Sequence, residues 1–219
     1  MIEFTDISKR YSGRTNFLEN FSLRLDSGAR ITLTGPTNSG KTTVLRMLAG
    51  LEAPNGGTLT LNGENIYRLR ESARARLRQR MGLIFHAPQF LPHSSLLDNV
   101  SLPLQLQGLS RQEQETRAKG ALQRVGLGDT GNITPAQLTE NARQRLNIAR
   151  ALVHRPALLL VDDVYTGWPD EMTSLLATLL ADFHQGGVTM IVASPTPLPS
   201  WLAKTRLVTL AGPTPEIPE

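Results

Sequence analysis

The sequence contains no cysteine. That excludes disulfides and thiolate metal sites, and a reducing compartment fits. It also lacks any apolar run near the roughly 20 residues needed to cross a bilayer. The longest, Ala157 to Val161, has the length of a buried strand. The start, Met1-Ile2-Glu3-Phe4, has neither the basic residues nor the apolar stretch of a secretory leader. Aromatic residues make up only 5% of the chain, and none interleaves with the arginines between Arg70 and Arg80 in the way that base stacking would want. Those arginines, with Arg68, account for much of the net charge of +4. They read as a solvated helix face in preference to a patch for nucleic acid or anionic lipid, and no nucleic-acid partner is expected. What is present is ordinary: 219 residues with 40% hydrophobic and 19% charged, enough to bury the core of one domain.

Apolar and polar residues alternate at Ile2, Phe4 and Ile7, and again at Phe21, Leu23 and Leu25, which predicts two half-buried antiparallel strands. Arg30 to Thr34 reads as a strand and Thr42 to Leu51 as a helix, with Val44, Leu45, Leu48 and Leu51 at helical spacing. The turn Asn55-Gly56-Gly57 leads to a strand over Thr58 to Asn62. Residues from about Glu71 to Arg155 read as mostly helical, with breaks at Pro88, Pro92, Pro103, Gly108, Gly126, Gly128 and Pro135. Ala157–Val161 and Val188–Ala193 read as buried strands around a helix over Glu171 to Phe183. Buried strands alternating with helices predict an α/β fold with a parallel sheet covered on both faces. The tail from Gly212 to Glu219 is rich in proline and is expected to be mobile.

Between the Arg30 strand and the Thr42 helix lies Gly35-Pro36-Thr37-Asn38-Ser39-Gly40-Lys41-Thr42, a match to the phosphate-binding pattern G-x-x-x-x-G-K-[ST] in its required strand–loop–helix setting. The glycines let backbone N–H groups turn onto phosphate oxygens, and the helix N-terminus adds a favourable field. Lys41 supplies a point charge to the β- and γ-phosphates, and the Thr42 hydroxyl is a ligand for Mg²⁺. The strand ending at Asp162 supplies the acid that such a site needs, holding Mg²⁺ through water, and Asp163 follows as a candidate to polarise the attacking water. The expected ligand is MgATP. His93, His154 and His184 are scattered without metal-ligand spacing, and Trp168 and Trp201 read as packing or interface residues.

Further segments resemble the ATP-binding subunits of ABC transporters. Ile7-Ser-Lys-Arg-Tyr11 is similar to the family's adenine-stacking strand, and Met81-Gly-Leu-Ile-Phe85 to the approach to its glutamine loop. Asp98-Asn-Val100 and Leu102-Pro-Leu104 resemble a stretch near the membrane-partner contact. Arg143 to Leu152 resembles the helix after the signature, and His154-Arg-Pro156 the lead into the Asp162 strand. The resemblance runs from residue 1 to about 210 and comes nearest the cell-division and lipoprotein-releasing type. It implies a P-loop NTPase core of ABC type over residues 1–219, with an N-terminal antiparallel β portion and a helical subdomain near 86–155. It also implies that Tyr11 stacks adenine, that the backbone from Gly35 to Thr43 (Thr43 included) cradles phosphates, and that the chain pairs as a homodimer or heterodimer. An integral-membrane subunit would hold it at the cytoplasmic face of the cell membrane.

The chain departs from the family pattern at several catalytic positions. His86 stands where the family has a glutamine, with Gln89 three positions on as a substitute if the loop shifts. The signature reads Leu138-Thr139-Glu140-Asn141-Ala142, which places a carboxylate where a partner's triphosphate should approach. Asp163 replaces the catalytic glutamate and is one methylene shorter, Pro195 replaces the switch histidine, and the segment before Asp170 carries one extra residue. Together these predict an ATP-binding subunit with weak or absent hydrolysis. The alternatives are a working ATPase relying on Asp163 and Gln89, and a regulatory or scaffold subunit using ATP as a structural ligand. A P-loop kinase is disfavoured because no phosphoryl-acceptor site is evident.

Overall fold

The computed structural model describes residues 1–11, 18–163, 167–194, 200 and 205–211. The positions Val164 to Thr166, Pro195, Trp201 and the tail from 212 lie outside these described residues.

Two sheets organise the described chain. The first has the order β2-β1-β4-β5 and is antiparallel, built from β1 (Ile2–Lys9), β2 (Leu18–Leu25), β4 (Gly56–Leu61) and β5 (Glu64–Asn65). The second is parallel, with the order β6-β7-β8-β3-β9, from β3 (Arg30–Thr34), β6 (Met81–Ile84), β7 (Leu158–Asp162), β8 (Thr189–Ser194) and β9 (Arg206–Thr209). Six helices complete it: α1 (Lys41–Leu48), α2 (Glu71–Arg78), α3 (Leu96–Leu106), α4 (Arg111–Arg124), α5 (Glu140–Leu152) and α6 (Asp170–Gln185). The α/β fold and the antiparallel N-terminal portion are as expected.

The apolar runs of β7 and β8 divide residue by residue between two cores, because side chains along a strand alternate in direction. Leu158, Leu160, Ile191 and Ala193 face the core shared with α1 and the antiparallel sheet. Leu159, Val161, Met190 and Val192 face the core built by α3 to α6. On α1 the residues Val44, Leu45, Met47 and Leu48 are fully buried, each stabilising the docked helix by about 1.5–3 kcal/mol. This docking points the helix N-terminus at the carboxyl edge of the parallel sheet, where ligands of such sheets bind.

Two local expectations need correction, and one strand was not anticipated. Within the stretch read as mostly helical, Met81–Ile84 is an edge strand paired with β7, in the register Met81 to Leu158. Arg206–Thr209 adds a further strand beside β3. Pro103 does not break its helix, since α3 runs through it to Leu106. A proline inside a helix costs about 3 kcal/mol. Leu96, Val100 and Leu104, all fully buried, offset that cost by docking the helix.

Of the arginine-rich stretch, Glu71 of α2 pairs with Arg74 at 2.5 Å and Arg78 at 2.9 Å, and Arg74 lies over the Tyr67 ring. Arg68, Arg70, Arg76 and Arg80 are exposed.

Candidate functional site

The phosphate loop joins β3 to α1 and is buried at both ends, with its tip Pro36-Thr37-Asn38 exposed. Gly35 opens it at φ +148, and a Cβ there would lie 2.3 Å from the Leu210 carbonyl and 2.8 Å from Ser39 Oγ. Any side chain would push the loop off the residue following β9, so glycine is required by space as well as by conformation. At the other end Gly40, at φ +92, serves as the N-cap of α1 without a side chain, and Val44 donates back to its carbonyl at 2.9 Å. The first turn of α1 carries no acid, so the N-terminal field of the helix is free to act on an anion.

Lys41 is buried, and its ammonium donates to Gly35 O at 2.9 Å, Pro36 O at 2.8 Å and Ser39 Oγ at 3.3 Å. Burial lowers its pKa, while the charges of Asp163 and Asp162 oppose the shift. The Lys41 head is thus already inside the loop, with three oxygen acceptors that phosphate oxygens could replace. From the next position, Thr42 Oγ1 donates to Asp162 Oδ1 at 2.8 Å, across 120 residues of sequence. A hydroxyl and a carboxylate at this separation, beside a loop with the phosphate-binding pattern, form a hard oxygen pair of the kind Mg²⁺ uses when phosphate and water complete its shell. Among the described residues no group of three or more His, Cys, Asp or Glu could hold a metal without such outside ligands.

Asp162 is buried at the end of β7, and burial raises its pKa. The Thr42 hydroxyl and the charges of His86 and Lys41 pull the other way, and Asp163 pushes it further up. Asp163 turns off the strand at φ +39 and anchors its backbone by donating to Ala193 O at 3.1 Å. His86 therefore lies within electrostatic reach of Asp162. Gln89 is exposed, and its carbonyl accepts from Arg150 of α5. Among the described residues no hydrogen bond links the Gln89 side chain to the phosphate loop.

At the other flank, Tyr11 sits half-buried with its hydroxyl 3.2 Å from Thr43 Oγ1 and the Lys9 ammonium 5.1 Å from its ring centre. Burial, together with Glu52, raises the Tyr11 pKa. Glu52 also pairs with Lys9 at 3.1 Å and Arg46 at 3.3 Å. The sequence carried no sign of Glu52, which lies in an irregular stretch outside every motif.

Thr139 caps α5, its hydroxyl accepting from Ala142 N at 3.3 Å, and Glu140 is the acid of the first turn. A carboxylate there neutralises the positive end of the helix, in contrast to the acid-free start of α1. Gln144, one turn on and 3% exposed, donates to Glu140 Oε1 at 3.1 Å and to the His86 carbonyl at 3.1 Å. It thereby ties two departures from the family pattern into one contact. Pairs 58 residues apart leave no local trace in sequence, so this link was not legible. Trp168 packs beside the core of α3 to α6. Pro195 and Trp201 are not among the described residues.

The model of the ABC transporter family matches residues 18–166. The chain is 34% identical over 195 residues to the cell division ATP-binding protein FtsE of Haemophilus influenzae, covering 89% of each chain. It is 38% identical over 189 residues to the methionine import ATP-binding protein MetN 2 of Pseudomonas aeruginosa, covering 84% of this chain and 56% of that one. Among solved structures it is similar to a dimeric post-hydrolysis state of the ATP-binding cassette MJ0796 bound to ADP and Pi. The TM-score is 0.87 at 25% identity, with 96% of this chain and 94% of that chain covered.

Proposed function

The chain belongs to the ATP-binding subunits of ABC transporters, and from that premise we propose that it binds MgATP and reports nucleotide state to an integral-membrane subunit while hydrolysing ATP slowly or not at all. In this reading the whole chain forms one ABC-type nucleotide-binding unit at the cytoplasmic face of the membrane. Among the described residues no helix is long and apolar enough to cross a membrane.

The observation that carries the binding half is the Thr42–Asp162 hydrogen bond at 2.8 Å beside the inward-facing Lys41. Thr42 and Asp162 hold Mg²⁺, Lys41 and the backbone from Gly35 to Thr43 hold phosphates, and Tyr11 stacks the adenine. The bound ion would supply charge neutralisation at the β- and γ-phosphates. Two such units pair around nucleotide, as the dimeric cassette similar in fold does.

The hydrolytic half is weakened at α5. Glu140 already occupies the anion-attracting end of that helix and Thr139 spends its hydroxyl on the cap, so a partner's γ-phosphate meets like charge. Asp163 holds its carboxylate about an ångström short of a glutamate's reach, and general-base work needs hydrogen-bond contact with the water. Steady-state ATPase measured with the membrane subunit present tests the reading. Turnover near about 1–10 per second, abolished by Asp163→Asn, would overturn it in favour of a working ATPase.

A further inference from the structure

The C-terminal part of α4, the end of α5 and the second half of α6 line a half-open cavity of about 380 Å³. No residue of the phosphate loop, of β7 or of the segment 86–91 lines it. Its floor is apolar and fully packed from below: Val125, Ala149, Leu152, Val153 and Leu179 are each at most 8% exposed, and Phe183 closes one side. Three arginines, Arg117, Arg124 and Arg155, line the same space.

Two of them have partners that can be exchanged. Arg117 pairs with Glu113 at 2.6 Å and Arg124 with Asp182 at 3.1 Å, both on open surface, and such pairs contribute little. Arg155 is exposed, and among the described residues it makes no ion pair. One positive charge is therefore left over beside an apolar hollow. Arg124 also answers the negative end of α4, and Arg117 is tied to Glu113 one turn earlier on the same helix.

Gly120 lies at the exposed mouth of the same cavity. It lies in the interior of α4, where glycine weakens a helix, yet a Cβ built there meets nothing within 4 Å. Packing within the chain does not ask for a glycine at this position. An added side chain would project into the open space at the mouth of the cavity.

We propose that this cavity binds a small amphiphile with one carboxylate and an aliphatic chain, the chain lying on the floor past Gly120 and the carboxylate meeting the arginines. The volume suits a small ligand, and planar guanidiniums match carboxylate geometry.

The test uses the full chain without nucleotide, titrated by calorimetry with decanoate below its micelle concentration. Saturable one-to-one binding is expected, with decanol at least about tenfold weaker and inorganic phosphate giving no heat. Gly120→Leu should weaken decanoate by about tenfold or more while MgATP binding holds and the melting temperature does not fall. Arg117→Gln with Arg155→Gln should weaken decanoate and leave decanol unchanged, which decides the matter should the leucine variant fail to fold. Non-saturable binding, equal affinity for decanoate and decanol, indifference to these substitutions, or binding to phosphatidylglycerol vesicles without binding to decanoate would each overturn the proposal.

Discussion

At the scale of single residues, the site is held by groups that fold at some cost to themselves. The raised pKa of Asp162 means that the native state holds its proton more tightly than the unfolded chain does. Its contribution to stability is present below the unfolded carboxylate pKa, about 3.9, and lost as pH rises through the folded value. At neutral pH the buried charge therefore opposes folding until a cation arrives. Asp162→Asn is expected to raise the melting temperature of the nucleotide-free protein at pH 7. It should also remove the Mg²⁺-dependent part of the shift that ATP produces, read by scanning fluorimetry; a full Mg²⁺-dependent shift in the variant would contradict the assignment. His154 works in the opposite direction on the pH scale. Burial lowers its pKa, and the backbone of Met81 and Arg150 lies near enough to oppose the shift without completing a hydrogen bond. The native state binds fewer protons there, so stability is full above the unfolded value near 6.5 and falls as pH drops below it. Urea midpoints between pH 7.5 and 5.5 should show that slope, and His154→Leu should flatten it.

At the scale of elements, the N-termini of α1 and α5 differ in charge and capping. The start of α1 is uncapped by any side chain, while α5 is capped by Thr139 and carries Glu140. Thr139→Ala should cost about 1 kcal/mol of stability in denaturant melts, the ordinary worth of such a cap. No change would mean that the hydroxyl is spent elsewhere. In α4 the reverse holds: Gly120→Ala, whose Cβ meets nothing, should stabilise by about 0.5–1 kcal/mol. The elements themselves were unevenly legible. The apolar runs of β7 and β8 announced buried strands because both faces of the sheet are covered. The strand Met81–Ile84 did not, since four residues with Gly82 among them carry too little pattern, and a Cβ at Gly82 would sit 2.6 Å from Leu159 Cδ1 and 2.7 Å from the Ala151 carbonyl. Its identity as a strand comes from pairing with β7.

At the scale of the whole molecule, pairing of two copies is where Glu140 should be felt. Glu140→Gln removes the charge and keeps the shape, so sedimentation in MgATP at low salt is expected to show more dimer than the unaltered chain. The gap should narrow as ionic strength rises and screening shortens the reach of the carboxylate. An unchanged dimer fraction would place the obstacle elsewhere. The sequence alone determined the phosphate-loop pattern, the apolar strand ending in Asp162 and the α/β class, because each rests on residue type and short-range spacing, while the departures at His86, Glu140 and Asp163 rest on the resemblance to the family. Tertiary structure decided what those residues touch: Thr42 meeting Asp162, Lys41 turned onto Gly35 and Pro36, Gln144 joining Glu140 to His86, and a hollow under Gly120. These contacts join positions on elements whose approach is set by the packing of two cores, and no periodicity along the chain encodes that approach.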